Sequence, residues 1–175
     1  MSRTPRRLTR RIALAAVTVL GAVTLAACAG PDEQGSASQR MKAWSSSTEF
    51  GGSIATLRAD SARIAQVVAD RSGTGAIHAD CALLLQDAGA ANDNLPTPDT
   101  TVTNQLSNAY ADEGSAANDC YNAGTTNAKL LARSARERAQ ADALLAQALE
   151  RVQSITGTTI STTTTTDPGS GSIFG

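Results

Sequence analysis

The chain has 175 residues with 15 basic and 16 acidic side chains, one histidine, three cysteines and 3% aromatic residues. A formal charge of −1, with no basic patch interleaved with aromatics, excludes the usual footprint of a nucleic-acid binder. A lone histidine and the lack of any CxxC pair leave no zinc ligand set. No HExxH, GxSxG or phosphate loop occurs either, so the sequence reads as non-enzymatic, with no catalytic, metal or cofactor-binding residues.

In chain order, the first eleven residues carry Arg3, Arg6, Arg7, Arg10 and Arg11 and no acid, and Ile12 to Leu25 is uncharged and rich in Ala, Val and Leu. These are the basic and apolar regions of an export signal, too short and too closely followed by small residues to stop in a membrane. Leu25-Ala26-Ala27-Cys28 resembles the bacterial lipobox. The resemblance implies a signal peptide over residues 1–27, a diacylglyceryl group on the Cys28 thiol, and a mature chain held on the extracytoplasmic face of the cell membrane. Thr9-Arg10-Arg11 loosely resembles a twin-arginine signal, which leaves the export route open. Removing residues 1–27 leaves 148, and it changes the balance to ten bases against 16 acids, or −6. That size suits one domain.

Residues 28–40 include "AGPDEQGSASQ", the composition of a flexible tether, and residues 41–156 are expected to form the domain. Phe50, Ile54, Leu57, Ser61, Ile64 and Val68 follow a 4-3-4-3-4 spacing, the signature of a helix with one apolar face. Ser46 and Glu49 have capping-box spacing for its start, although Met41 and Trp44 allow an earlier one. Gly73 and Gly75 are expected to turn the chain into a shorter second helix lined by Ile77, Cys81, Leu84, Ala88 and Ala91.

"LPTPDT" (Leu95 to Thr100) ends that helix and starts a third, with Thr97 as cap, Pro98 in the first helical position and Asp99 facing the positive helix end. Val102, Leu106, Ala109, Ala116 and Cys120 line it. After a turn at Gly124 and Thr125, a fourth helix is expected from Thr126 to Ile155. Its inward residues are read as Leu131, Ala135, Leu145, Leu149 and Val152, with Glu137 and Arg138 on the solvent face. Residues 157–175, rich in Thr, Pro, Gly and Ser, read as a disordered tail that cannot bury enough apolar surface to order itself.

The expected fold is therefore all-α, an antiparallel up-down-up-down four-helix bundle between two disordered tails. Once Cys28 is acylated, Cys81 and Cys120 remain, and an oxidising compartment favours a bridge between them. A loop of that length stabilises a fold by about 4 kcal/mol in the chain-entropy model. The pair lies level only if the chain from Asp93 to Thr97 is extended, which lets the third helix overhang the second by roughly 16 Å.

Charge is unevenly distributed. No Lys or Arg lies between Arg71 and Lys129, where seven acids stand, while the segments 40–71 and 129–151 each hold five bases and three acids. A solvated face or internal complementarity explains such asymmetry more simply than a ligand site does. His78 near Asp80, and the oxygens of Asn92, Asp93, Asn94 and Asp99, lack the spacing of a catalytic pair or a calcium loop. Tyr110 and Tyr121 lie three helical turns apart, as core and rim of one face.

Trp44, "ANDNLPTPD", Ala109-Tyr110 and "NDCY" together are similar to a group of uncharacterised actinobacterial lipoproteins. The resemblance implies a helical, lipid-anchored, exported domain and carries no activity with it. The expected role is an interaction or scaffold module of the cell envelope, bound to the membrane through Cys28 and to an unknown envelope protein or ligand. The alternative is a binding protein for an apolar small molecule or lipid, with a core cavity lined by Leu84, Leu106 and Leu131.

Overall fold

The computed structural model describes residues 35–163, and the lipobox residue Cys28 lies outside them. The described chain is helical, with no strand among those residues. Its elements are α1 (Ala37–Ser47), α2 (Phe50–Ala69), α3 (Thr74–Asn92), α4 (Thr100–Ala123) and α5 (Ala128–Thr156). None of these helices is long and apolar enough to cross a membrane.

The first expected helix is two helices. The capping box forms at Ser36 and Gln39, ten residues ahead of the expected one, so α1 begins inside the segment assigned to the tether. Hydroxyls then end it: Ser47 and Thr48 both donate to the Trp44 carbonyl, at 3.1 and 2.8 Å. Side chains that bond the preceding turn in this way compete with helix continuation. Glu49 takes a left-handed backbone (φ 49°) and α2 starts at Phe50. Ser46 and Glu49 therefore mark a break.

Two other local expectations change. Arg71 (φ 53°), rather than Gly73 or Gly75, carries the left-handed turn between α2 and α3, while Gly73 is extended and caps α3. The cap of α4 is Asp99, whose carboxylate accepts from the Val102 amide at 2.9 Å. Thr97 instead braces the cap by donating to the Asp99 carbonyl and accepting from the Asp99 amide. Pro98 thus precedes the helix.

The core follows the expected apolar rows. Ile54, Leu57, Ile64, Ile77, Leu84, Leu106 and Leu145 are all buried, and Met41 of α1 joins them. Trp44 leans on Phe50 at 5.0 Å between ring centroids, and its indole N–H reaches the Asn94 carbonyl at 3.0 Å. In this way α1 is tied to the α3–α4 connection. On α5 the inward row is Ser134, Ala141, Leu145, Ala148 and Val152; Ala135 is exposed, contrary to expectation, because the apolar stripe of α5 runs one residue earlier in that turn.

Cys81 of α3 and Cys120 of α4 form a disulfide with Cα atoms 5.9 Å apart. The connection between them is not extended from Asp93 as expected: Asp93 keeps a helical backbone, the amides of Asn94 and Leu95 donate to the Ala91 and Asn92 carbonyls at 3.2 and 3.1 Å, and only the stretch after Leu95 leaves helical turns before α4 begins at Thr100. The charge asymmetry also resolves into inter-helix ion pairs. Arg63 of α2 approaches Asp80 of α3, Arg133 of α5 is bonded to Asp119 of α4, and Arg151 of α5 grips Asp99 through two hydrogen bonds of 2.8 and 2.7 Å.

Past Gly157 (φ 66°), the first residues of the expected tail lie on the domain. Ile160 packs against the core, and the backbone at Ser161 runs over Gly51 in the first turn of α2.

Candidate functional site

The most chemically distinctive feature is a cleft of about 430 Å³ between α2 and α5, with Glu113 of α4 beneath it. Small side chains create it: Ser61 and Ala65 on α2 face Ala135 and Ala139 on α5, too short to fill the seam. Periodicity places the acid there. In the row Leu106, Tyr110, Glu113, Ala117, Cys120, spaced 4-3-4-3, Glu113 occupies a core position and is 2% exposed. The same row logic brings Arg138 inward, four residues past Ser134 and three before Ala141.

Beneath the cleft, Glu113 Oε2, Ser61 Oγ and Arg138 Nε are closed to solvent, and the Ser61 hydroxyl acts on the Glu113 carboxyl as a hydrogen-bond donor that favours its ionised form. Arg138 Nη1 donates to the Ser61 carbonyl at 2.6 Å. At the rim, Arg58 and Asp142 pair with each other at 2.7 Å. Burial pushes the Glu113 carboxyl up to about 8, with Asp142 adding to the effect and the charge of Arg138 opposing it. Burial likewise holds Arg138 below the usual guanidinium range. At neutral pH the floor of the cleft is therefore a neutral carboxylic acid beside a cation.

A second buried acid lies behind it. Asp60 on α2 is fully buried and accepts from Arg63, while its Oδ2 has no partner. Burial and the neighbouring Asp87 push it up to about 6, against the pull of Arg63. The sequence alone does not mark Asp60 or Glu113 and reads Arg138 as solvent-facing; the structure corrects the last, since Arg138 is half-buried in the seam. The signal was present, since all three fall on inward rows, but charged side chains in a helix are ordinarily read as solvent-facing.

The residues considered from sequence have different places. Cys81 and Cys120 are joined. His78 stacks on Tyr121, with ring centroids 4.1 Å apart, and Asp80 turns to Arg63, so the two do not pair. Tyr110 is buried and Tyr121 is exposed, as expected for core and rim. Among the described residues, no group of three or more His, Cys, Asp or Glu side chains is arranged to hold a metal ion. Leu84 and Leu106 are enclosed in the core, whereas Leu131 borders a separate cleft of about 220 Å³ with Val68 and Ile77. The three do not line a common cavity.

Comparison of the chain with family models, curated proteins and solved structures finds no match.

Proposed function

We propose that this protein is a lipid-anchored, non-enzymatic interaction or scaffold module on the extracytoplasmic face of the cell membrane, tethered through an acylated Cys28 and akin to the actinobacterial lipoproteins its motifs resemble. The observation that carries the reading is the pairing of Cys81 with Cys120, which is at home in an oxidising, exported compartment; Cys28 is the third cysteine of the sequence. A basic and apolar leader ending in Leu-Ala-Ala-Cys supplies the independent sequence support.

Within this reading α2 to α5 form an up-down-up-down bundle, with α1 as a clasp across one end. Pairs of early against late residues support it: Arg63 with Asp80, Cys81 with Cys120, Asp119 with Arg133, and Asp99 with Arg151. Around α2 and α5 the order also reverses, since Arg58 meets Asp142 and Ser61 meets Arg138. A bundle stapled in this way is a rigid platform that can present its surface to an envelope partner.

The test is acylation. An alkyne fatty acid fed to cells should label the wild-type chain, and the chain should partition into detergent. Two or more acyl chains give firm membrane attachment. Cys28→Ser should lose the label and remain unprocessed or be released. A Cys28→Ser chain that still begins at residue 28 and stays in the membrane would overturn the reading.

A further inference from the structure

Leu83, Leu85 and Tyr121 are the large apolar side chains exposed among the described residues, and all three stand on α3 and α4. The surface around them carries almost no charge. Of the seven acids between residues 73 and 127, where no base lies, Asp93 alone is exposed. Asp80, Asp99 and Asp119 turn to arginines of α2 and α5, Glu113 is buried, and Asp87 and Asp112 are half-buried. On α5, by contrast, Lys129, Arg133, Arg136, Asp142 and Glu150 are all exposed. A surface that shows aliphatic and aromatic side chains and excludes charge has the composition of an interface centre. We propose that the outer face of α3 and α4 pairs with the same face of a second copy of this chain.

Helical geometry assembles the face. Leu84 points into the core, so Ala82 and Gln86 point outward and Leu83 and Leu85 flank them. Leu85 leans towards α4, its Cδ1 lying 3.9 Å from where a Cβ on Gly114 would stand. Two turns earlier His78 stacks on Tyr121, and the Cys81–Cys120 bridge joins the two helices beneath. The face is therefore pre-formed, with little freedom left to lose on docking. Gly89 adds a sign of close approach. It lies inside α3, where glycine costs about 1 kcal/mol relative to alanine, and a Cβ there would meet nothing within 4 Å, so the single chain has no need of it. A neighbouring molecule resting on the exposed stripe of Ala79, Ala82 and Gly89 supplies the need.

Charge and area select the occupant. A strongly charged partner would lay its charges on a surface without counter-charges and lose their hydration for no return, whereas a second copy sets neutral face against neutral face. With 19 and 24 residues, α3 and α4 are about 28 and 36 Å long, and two helices side by side are about 20 Å wide. The face along the length of α3 is then roughly 560 Å² in projection, so a pair of copies covers about 1,100 Å², above the ~1,000 Å² that a specific interface needs. A two-fold axis satisfies both faces at once, and assembly closes at a dimer. This names the partner of the interaction module described above and rests on that part of the reading; the lipid anchor is independent, since the alkyne label reports on Cys28 whatever the faces do.

The experiment is photo-cross-linking of the full chain in intact cells, with p-benzoylphenylalanine placed at Ala82, and at the exposed Ala146 of α5 for comparison. Irradiation should give a product of twice the chain mass from Ala82, with residue 82 joined to a peptide of α3 or α4, and none from Ala146. Gly89→Arg and Gln86→Lys alter exposed positions of the face, so the folded chain should keep its far-UV circular dichroism. Each should lower the yield of the double-mass product by about tenfold or more, one by bulk and the other by setting like charges against each other. The proposal is overturned if Ala82 gives no such product, if Ala146 gives as much, if Ala82 captures only a different protein, or if either folded variant cross-links as the wild type does.

Discussion

The carbonyl oxygen of Ser161 lies where a Cβ on residue 51 would stand, and Ile160 Cγ2 would be only 2.8 Å from that same Cβ. Gly51 is buried in the first turn of α2, so the chain leaving α5 is seated in a notch that glycine alone provides. The Gly51-Gly52 pair costs helix propensity in α2, and the seating of Ile160 on the core accounts for the first of the two.

Gly51→Ala should therefore expel the segment around Ser161 or shift the start of α2. Overpacking of this kind costs about 1–3 kcal/mol. Urea denaturation should show a lower midpoint, and limited proteolysis should open residues 158–163. Equal midpoints and equal protection would mean that the notch does not hold the segment.

The Cys81–Cys120 bridge closes a 39-residue separation and joins the two helices of the acidic hairpin. Its removal by paired Cys→Ala substitution should cost about 4 kcal/mol through the freedom returned to the unfolded chain. For a domain of this size that corresponds to a fall in Tm of roughly 15 °C. Calorimetry of the reduced and double-substituted chains checks this. A shift of a degree or two would show that packing of α3 on α4 alone suffices.

Stability should respond to pH in an unusual direction. Glu113, with an ordinary value of 4.5, holds its proton in the folded chain up to about pH 8. Asp60 does the same up to about pH 6 from an ordinary value of 3.8. The folded chain thus binds more protons than the unfolded one across that range, so stability falls as pH rises from about 4.5 towards 8 and then levels. Asp99 and Asp119, held low by hydrogen bonds from Arg151 and Arg133, act oppositely and withdraw stability only in stronger acid. The maximum is expected near pH 4 to 5. Glu113→Gln should flatten the neutral arm of the curve and raise stability at pH 8 by on the order of a few kcal/mol. A wild-type optimum at pH 7 or above would contradict this account.

Added salt should lower the Tm. The ion pairs Arg63–Asp80, Asp119–Arg133 and Asp99–Arg151 join helices of opposite charge and are open enough to be screened. A melt series from low to high sodium chloride measures it. A rise in Tm would show that repulsion among the unpaired acids, such as Asp87, Asp93 and Asp112, dominates over these attractions.

Helix content, the apolar rows on α2, α3 and α4 and the pairing of Cys81 with Cys120 were legible in the amino-acid order, because each depends on local periodicity or cysteine parity. The break at Glu49 was not. A serine three residues ahead of a glutamate has one meaning at a helix start and another at a helix end, and the hydrogen bonds of Ser47 and Thr48 to the Trp44 carbonyl decide between them. The phase of α5 was also hidden, since Ala135 and Ser134 are equally small and only contact with Ala116 of α4, whose carbonyl accepts the Ser134 hydroxyl at 2.8 Å, turns one inward. Whether Asp60, Glu113 and Arg138 face solvent or core depends on what lies across from them, and that is a property of the packed helices. Their inward rows are written in the sequence; the enclosure of Glu113 Oε2 and Arg138 Nε arises only when α2, α4 and α5 come together.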